Sequence, residues 1–264
     1  MGESAIKLSA LRRHVAGITL QHTRSSALFE TGHGPLDVAL GGGLACGRLH
    51  ELFAASADDA ASAAGFAAML ALRAMPPGRA LLWLRTDSAE RRSGHFHAHG
   101  LAELGGDPDA VLLGLAPDDV ALLRCAADAA RCAGLGVVVA ECWGRPRALD
   151  LTASRRLALA AEKSGVTLLL LRIDAEATPS AADTRWRVAA APSQALEANA
   201  PGPAALEVEL LRRRAGPAGL RWRVEWDRDQ RIFRRIREPA LSGAVVSLPS
   251  NRPVADSGFL RRTA

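Results

Sequence analysis

Short, continuous apolar runs alternate with amphipathic stretches along the first two thirds of the chain, and this alternation is the strongest constraint on its fold. The apolar runs occupy residues 49–53, 80–84, 110–115, 136–140 and 166–173. Helical periodicity is found near residues 59–73, 117–133 and 152–163. Strands that are apolar on both faces are typical of sheets covered by helices on both sides. The sequence therefore predicts an α/β fold in which helices flank a mostly parallel sheet.

The pattern changes after residue 183. Residues 184–190, 205–212 and 220–225 alternate apolar and polar side chains, which favours strands with one solvated face and thus an antiparallel extension of the sheet. In and just after the last run, Trp222, Val224 and Trp226 fall on one face, whereas Arg221 and Arg223 fall on the other. We therefore expect the tryptophans to pack in the core rather than to stack on nucleic-acid bases.

The two ends of the chain differ from this central region. A first helix is predicted over residues 3–15, within an N-terminal helical segment 1–28 that precedes a domain at 29–238. From residue 239 onward the chain is short of core residues and carries Pro239, Pro249 and Pro253, so residues 239–264 are predicted to form a flexible C-terminal tail. The absence of an uncharged apolar run of about 18 residues argues against a membrane span.

Cysteine and histidine give no strong metal-binding signal. Cys46, Cys125, Cys132 and Cys142 form no CxxC pair, which is typical of reduced thiols in a cytoplasmic protein. Histidines alternate at positions 95, 97 and 99 and could face a metal ion from a strand, but no carboxylate or cysteine cluster lies beside them in the sequence. A solvated loop is the favoured interpretation, and we expect no bound metal.

A glycine-rich segment leads into the first apolar run. Residues 31–53 read TGHGPLDVALGGGLACGRLHELF, which resembles the start of the RecA ATPase core, with Leu36-Asp37, Gly47-Arg48 and Glu51 in the same order. The resemblance places the phosphate loop at residues 54–61, AASADDAA. The glycines of the family then fall at Ala54 and Asp59, the lysine at Ala60 and the threonine at Ala61.

This loop lacks the groups that bind a triphosphate. A working phosphate loop directs bare backbone amides at phosphate, reaches it with a lysine and holds magnesium with a hydroxyl. The two alanines supply neither side chain, and the chain has only two lysines, Lys7 and Lys163. Asp58 and Asp59 place carboxylates at the start of the next helix, where either could cap the helix and would repel an anion. We expect neither ATP nor any other cofactor.

Two further acidic residues lie where the resemblance places the catalytic carboxylates of an ATPase. Asp87 follows the LLWLRT run, near the position of a catalytic glutamate, and Glu141 follows VVVA, near the position of a magnesium-binding aspartate. Without a phosphate loop these carboxylates have no triphosphate to act on. We therefore expect the chain not to be an enzyme.

Over about residues 28–238 the chain resembles the ImuA family of RecA-like proteins. The resemblance rests on TGHGPLDVALGGGL, on HEL running into an alanine-rich helix, on LLWL, and on SAADTRWRV at residues 180–188. It implies a non-catalytic accessory role in SOS-induced mutagenesis and translesion DNA synthesis. The implied partners are an ImuB-like Y-family protein, an error-prone DnaE-class polymerase reached through it, and RecA. Two alternatives stay open: a DNA-dependent ATPase of the RecA or RadA type, and a SulA-like inhibitor of cell division.

Arginine supplies almost all of the basic charge of the chain, whose formal net charge is +5. Arginines in C-terminal strands can contact phosphate or an acidic partner, although they can equally form a solvated face. The candidates for contact with DNA or a protein partner are Arg185, Arg187, Arg212, Arg214, Arg221, Arg223, Arg234 and Arg235.

Overall fold

The computed structural model describes residues 27–214 and 216–236. The predicted helix over residues 3–15 and the predicted tail at 239–264 lie outside this range. The helices are α1 (Gly34–Ala39), α2 (Ala60–Ala74), α3 (Asp87–Ser93), α4 (Ala98–Glu103), α5 (Asp119–Ala129) and α6 (Leu151–Ser164). The strands are β1 (Leu28–Phe29), β2 (Leu44–Ala45), β3 (Leu49–Ala54), β4 (Ala80–Thr86), β5 (Val111–Ala116), β6 (Leu135–Trp143), β7 (Thr167–Ile173), β8 (Thr184–Ala190), β9 (Ala205–Arg213), β10 (Leu220–Asp227) and β11 (Ile232–Arg235).

Nine strands form one sheet in the order β11-β10-β9-β8-β3-β7-β6-β4-β5, and β1 pairs with β2 beside it. Strands β3 to β8 are parallel to one another, whereas β9, β10 and β11 add in antiparallel fashion. The predicted fold class is thereby confirmed. One detail was wrong: β8 pairs with β3 as the last parallel strand, so the antiparallel extension starts at β9.

Helices cover both faces of the parallel part, and each face has its own apolar core. On one face, α2 packs Phe66 and Leu70 against β3, β7 and β8, where Trp186 is fully buried. On the other face, α5 and α6 pack Leu122 and Leu157 against β6 and β7. The two cores explain why the parallel strands are apolar on both faces.

The antiparallel strands bury one face only. Val224 and Trp226 are buried, and half-buried Trp222 places its ring 6.2 Å from that of Trp186. The expectation that the tryptophans belong to the core is confirmed. Within the part of the chain that the structure describes, no helix is long and apolar enough to cross a membrane.

A buried histidine ties the start of β3 to its neighbours. One ring nitrogen of His50, Nε2, lies 2.9 Å from the carbonyl oxygen of Ala45, while Nδ1 lies 2.7 Å from the hydroxyl of Thr184. That hydroxyl oxygen also accepts a hydrogen bond from the indole N–H of Trp186, so the hydroxyl hydrogen is free to be donated to Nδ1. A neutral imidazole satisfies this chain of bonds, and burial lowers the pKa of His50 below its ordinary value of 6.5.

Candidate functional site

The segment aligned with the phosphate loop is a tight turn between β3 and α2. Ala54 ends β3 and is buried, residues Ala57–Asp59 form one turn of 3₁₀ helix, and α2 begins at Ala60. The backbone N–H of Ala55 donates to the carbonyl of Val188 at 2.8 Å, which ties the turn to β8. The alanines at positions 54, 60 and 61 present methyl groups, so the positions aligned with the lysine and the threonine offer no side-chain donor for phosphate.

The Asp59 carboxylate is held by two hydrogen bonds within the chain. Its Oδ1 accepts the backbone N–H of Ala190 at 2.8 Å, and its Oδ2 accepts the hydroxyl of Ser56 at 2.7 Å. Ser56 makes no capping bond for the 3₁₀ turn, and Asp59 occupies the N-cap position of α2 without a side-chain bond that caps it. Its carboxylate instead joins the turn to the end of β8. Asp58 is exposed and lines a neighbouring cleft.

Glu141, at the magnesium-binding position, is already surrounded by donors from its own chain. The Glu141 side chain is buried in β6, where Oε1 accepts Nη2 of Arg85 at 3.0 Å and the indole N–H of Trp143 at 2.8 Å. Its Oε2 accepts the indole N–H of Trp83 at 3.1 Å. An oxygen that binds magnesium must have a free lone pair directed at the ion, and here all three neighbours are donors.

Arg85 extends this contact to the next helix. Its guanidinium donates to the carbonyl of Gly94 at 2.7 Å and to the hydroxyl of Ser93, both at the end of α3. Asp87, the other predicted acidic residue, is an exposed residue in the first turn of α3, which Thr86 caps by accepting the N–H of Ala89. The structure therefore separates Asp87 from Glu141: one is solvated, and the other belongs to a buried cluster.

An open cleft of about 690 Å³ lies between α2 and the segment that follows β4, and its lining includes Ala57, Ala60 and Ala61 of the turn that precedes and starts α2. Aromatic rings form much of its wall: the ring of Phe96 lies 5.2 Å from that of Trp83, and the guanidinium of Arg92 lies 5.9 Å from the ring of Trp143. Asp58 and the side chains of Arg85 and Glu141 also line it. Arg85 and Glu141 are paired to each other, whereas Arg92, Asp58 and the histidines at positions 95 and 97 add further polar groups to a largely apolar wall.

The three alternating histidines lie at the outer edge of this cleft and do not form a strand. His95 Nδ1 contacts the carboxylate of Glu90, His97 accepts the N–H of Gly100 as the cap of α4, and the His99 ring lies 5.3 Å from that of His97. Among the residues that the structure describes, no group of three or more His, Cys, Asp or Glu side chains is arranged to hold a metal ion.

The predicted arginine contacts divide into buried, paired and exposed groups. Arg185 is buried, its Nε donates to Glu51 at 2.7 Å, and it also donates to the carbonyl of Thr178. The prediction that Arg185 contacts DNA or a partner protein at the surface was therefore wrong. Its guanidinium stacks on Phe53 at 5.3 Å together with that of Arg172, which lies 5.5 Å from the same ring.

On the solvated face of the antiparallel strands, acidic residues alternate with the arginines. Glu209 lies between Arg187 and Arg221 at 3.6 and 3.3 Å, and Arg234 pairs with Asp227. Arg223 and Arg212 donate to backbone carbonyls at 3.4 and 3.2 Å, while Arg214 and Arg235 are exposed. The strand register thus places acidic side chains or carbonyl groups beside many of the arginines that make this part of the sequence basic.

Sequence reasoning missed the donors around Glu141. Trp83 and Arg85 lie two positions apart in β4, and Trp143 lies two positions after Glu141 in β6. Adjacent pairing of β4 with β6 brings these alternate positions onto one face. The signal was present in the runs LLWLR and AECW, but it needed the strand order to be interpreted.

Known proteins resemble this chain in sequence and in fold. No family model matches the chain. Proteins named Protein ImuA from two strains of Caulobacter vibrioides are each 35% identical to it over 201 residues, which are 71% of this chain and 72% of the relative. The crystal structure of the RadB recombinase matches with a TM-score of 0.53 at 18% identity, covering 80% of this chain and 100% of that one.

The likeness to RadB, at this identity, supports the RecA-like fold alone. The likeness to the Caulobacter vibrioides proteins is closer in sequence and covers most of both chains. The chain therefore belongs to the ImuA family, as the sequence resemblance predicted.

Proposed function

We propose that this chain is a non-catalytic accessory protein of SOS-induced translesion DNA synthesis. In this role it binds an ImuB-like Y-family protein and, through it, an error-prone DnaE-class polymerase, in the cytoplasm. RecA is a second candidate partner, and contact with DNA is a further candidate property. Membership of the ImuA family supports the accessory role.

The observation that carries the proposal is that residues 54–61 lack the phosphate-binding side chains and that the nearby carboxylates are bonded within the chain. Asp59 bonds to Ser56 and to the end of β8, and Glu141 accepts three donors from β4 and β6. A triphosphate would have to displace these bonds while meeting carboxylates in place of the lysine and hydroxyl that normally hold it. The RecA-like fold is then a scaffold for protein contacts rather than a motor.

The first experiment measures nucleotide binding by the thermal unfolding midpoint of the full chain with and without MgATP. A ligand at 100 times its Kd stabilises a protein by about 2.7 kcal/mol, which shifts the midpoint of a domain of this size by about 5 to 10 °C. We expect a shift below about 1 °C at millimolar MgATP. A submillimolar affinity that is lost on replacing Glu141 or Asp87 would instead support the ATPase alternative.

The second experiment tests the assembly by co-purification with an ImuB-like protein encoded in the same genome. We expect a complex that forms equally with and without ATP, and we would repeat the test after deleting residues 239–264. Failure to co-purify, together with inhibition of FtsZ polymerisation by the purified chain, would support the SulA-like alternative instead.

A further inference from the structure

A groove runs along the seam between α5 and α6, on the face of the sheet opposite α2. It consists of two connected clefts of about 610 and 270 Å³, which share Arg156 as a lining residue. Its basic side chains are Arg124 and Arg131 on or just after α5, and Arg156 and Lys163 on α6. We refer to this feature as the α5–α6 groove.

The basic charge of the groove is largely uncompensated. No acidic residue is among the side chains that line the two clefts. Arg131 forms a surface pair with Asp128 at 2.8 Å, with both side chains more than half exposed. Within the described residues, Arg124, Arg156 and Lys163 are exposed and have no acidic partner within salt-bridge distance. This differs from the antiparallel strands, where Glu209 is shared by two arginines.

The groove also exposes apolar surface between its cations. Leu159 of α6 is 66% exposed and Val120 of α5 is 44% exposed, whereas Leu157 and Ala160 form a buried floor. On a helix, Arg156 and Lys163 are two turns apart, a separation of about 10.5 Å along the axis. The groove is thus an apolar channel with positive charge along both sides.

These two properties together identify the kind of partner. We propose that the α5–α6 groove binds an acidic amphipathic helix of a partner protein, with leucine-like side chains on the floor and carboxylates against the arginines and lysine. A third helix packs naturally into the seam between two adjacent helices. A nucleic-acid backbone would use the cations but would leave Leu159 and Val120 in water, so the exposed apolar residues favour the helix.

This inference goes beyond the proposed function and does not depend on it, because the groove lies on the other face of the sheet from α2 and the turn that precedes it. A complex with an ImuB-like protein could fail to form while the groove still binds an acidic helix. Equally, the complex could form while the groove binds no acidic helix, so the two proposals can fail separately.

The test measures binding of a synthetic probe to the full chain by fluorescence anisotropy. The probe is a labelled peptide of about 18 residues with leucines at i, i+3, i+4 and i+7 and glutamates on both flanks. We expect binding that weakens with added salt, and increased protection of α5 and α6 from hydrogen exchange. Replacing Arg156→Glu together with Lys163→Glu should weaken binding by about tenfold or more, and Leu159→Ser by several-fold.

Matched controls decide the outcome. Arg79→Glu reverses an exposed charge outside the groove and should change the affinity less than twofold, and Arg156→Lys should retain most of it. All four side chains are exposed, so circular dichroism and urea unfolding should show unchanged folds. No binding at about 100 µM peptide, equal binding of a scrambled peptide of the same composition, or tighter binding of single-stranded DNA that the double variant abolishes would each overturn the proposal.

Discussion

The Glu141 cluster gives the sharpest test of whether this position is structural or catalytic. The carboxylate accepts bonds from Arg85, Trp83 and Trp143, and the side chains of Arg85 and Glu141 are 9% and 4% exposed. Replacing Glu141→Ala leaves the guanidinium buried without its counter-ion and both indole N–H groups without an acceptor. Removal of one partner from a buried ion pair typically costs about 3 to 5 kcal/mol.

That cost is large enough to measure directly. For a domain of this size, about 3 to 5 kcal/mol lowers the thermal midpoint by about 6 to 20 °C. The assay is urea unfolding followed by far-ultraviolet circular dichroism, since the indoles of Trp83 and Trp143 would change their fluorescence through the substitution itself. A shift in the urea midpoint at constant slope would show a change in stability rather than in the denatured state.

A double variant provides the control. Replacing Arg85→Leu together with Glu141→Leu removes both charges and fills the space with apolar atoms. We expect the pair to be less destabilised than the sum of the two single variants, because neither charge is left alone. A carboxylate held ready for catalysis would behave differently, since removing it commonly stabilises a protein. A Glu141→Ala variant as stable as the parent, or more stable, would refute the structural role.

Three further predictions concern other groups. Asp59→Ala should lower the free energy of unfolding by about 1 to 2 kcal/mol through loss of its two hydrogen bonds, whereas Asp58→Ala should change it by less than about 0.5 kcal/mol; urea titrations of the two variants would contradict this if they matched. Because His50 stays neutral in the fold while the unfolded chain takes up a proton below its ordinary pKa of 6.5, stability should fall as the pH drops through that value, by up to about 1.4 kcal/mol per pH unit. Urea midpoints between about pH 7.5 and 5.5 should show a shallower loss in His50→Gln, and an unchanged slope would count against the assignment. Burial raises the pKa of the Cys142 thiol to about 12, so a thiol reagent should label exposed Cys125 and Cys132 in the native state and Cys142 only after unfolding.

The sequence was sufficient for the parallel core because its strands are apolar on both faces. Each of the five predicted runs lies within, or within one residue of, an observed strand, and the three predicted helices near residues 59–73, 117–133 and 152–163 are present. These elements are set by local periodicity, which a single sequence displays.

Direction and pairing were harder to predict, because they depend on the rest of the sheet. β8 lies between the parallel and antiparallel parts of the sheet, where helix α2 packs against it; it alternates in character like the antiparallel strands, yet it pairs with β3 in parallel. β11 is a four-residue strand that follows a tight turn, and its sequence IFRR gives little signal by itself. Short helices α3 and α4 are fixed by the caps Thr86 and His97 rather than by periodicity.

The candidate site, too, could be predicted only in part from the sequence. The loss of the phosphate-binding residues could be inferred from residues 54–61 alone, since it concerns residue types at known spacings. What took their place could not, because Asp59 reaches Ala190 across 131 positions in the chain and Arg85 reaches Glu141 across 56. The same limit explains the arginines: Arg185 looked exposed in the sequence but meets Glu51 from a neighbouring strand.

In an ATPase of this fold, a bound nucleotide joins the turn after the first core strand to the ends of the neighbouring strands, and its hydrolysis releases them. Here Asp59 joins the turn to β8, Glu141 joins β6 to β4, and Arg85 continues to the end of α3. These bonds join the same elements through side chains of the chain itself. A two-state response to nucleotide needs a ligand that binds one state better than the other. Because we propose that no nucleotide binds here, we expect partner binding to be the same with and without nucleotide.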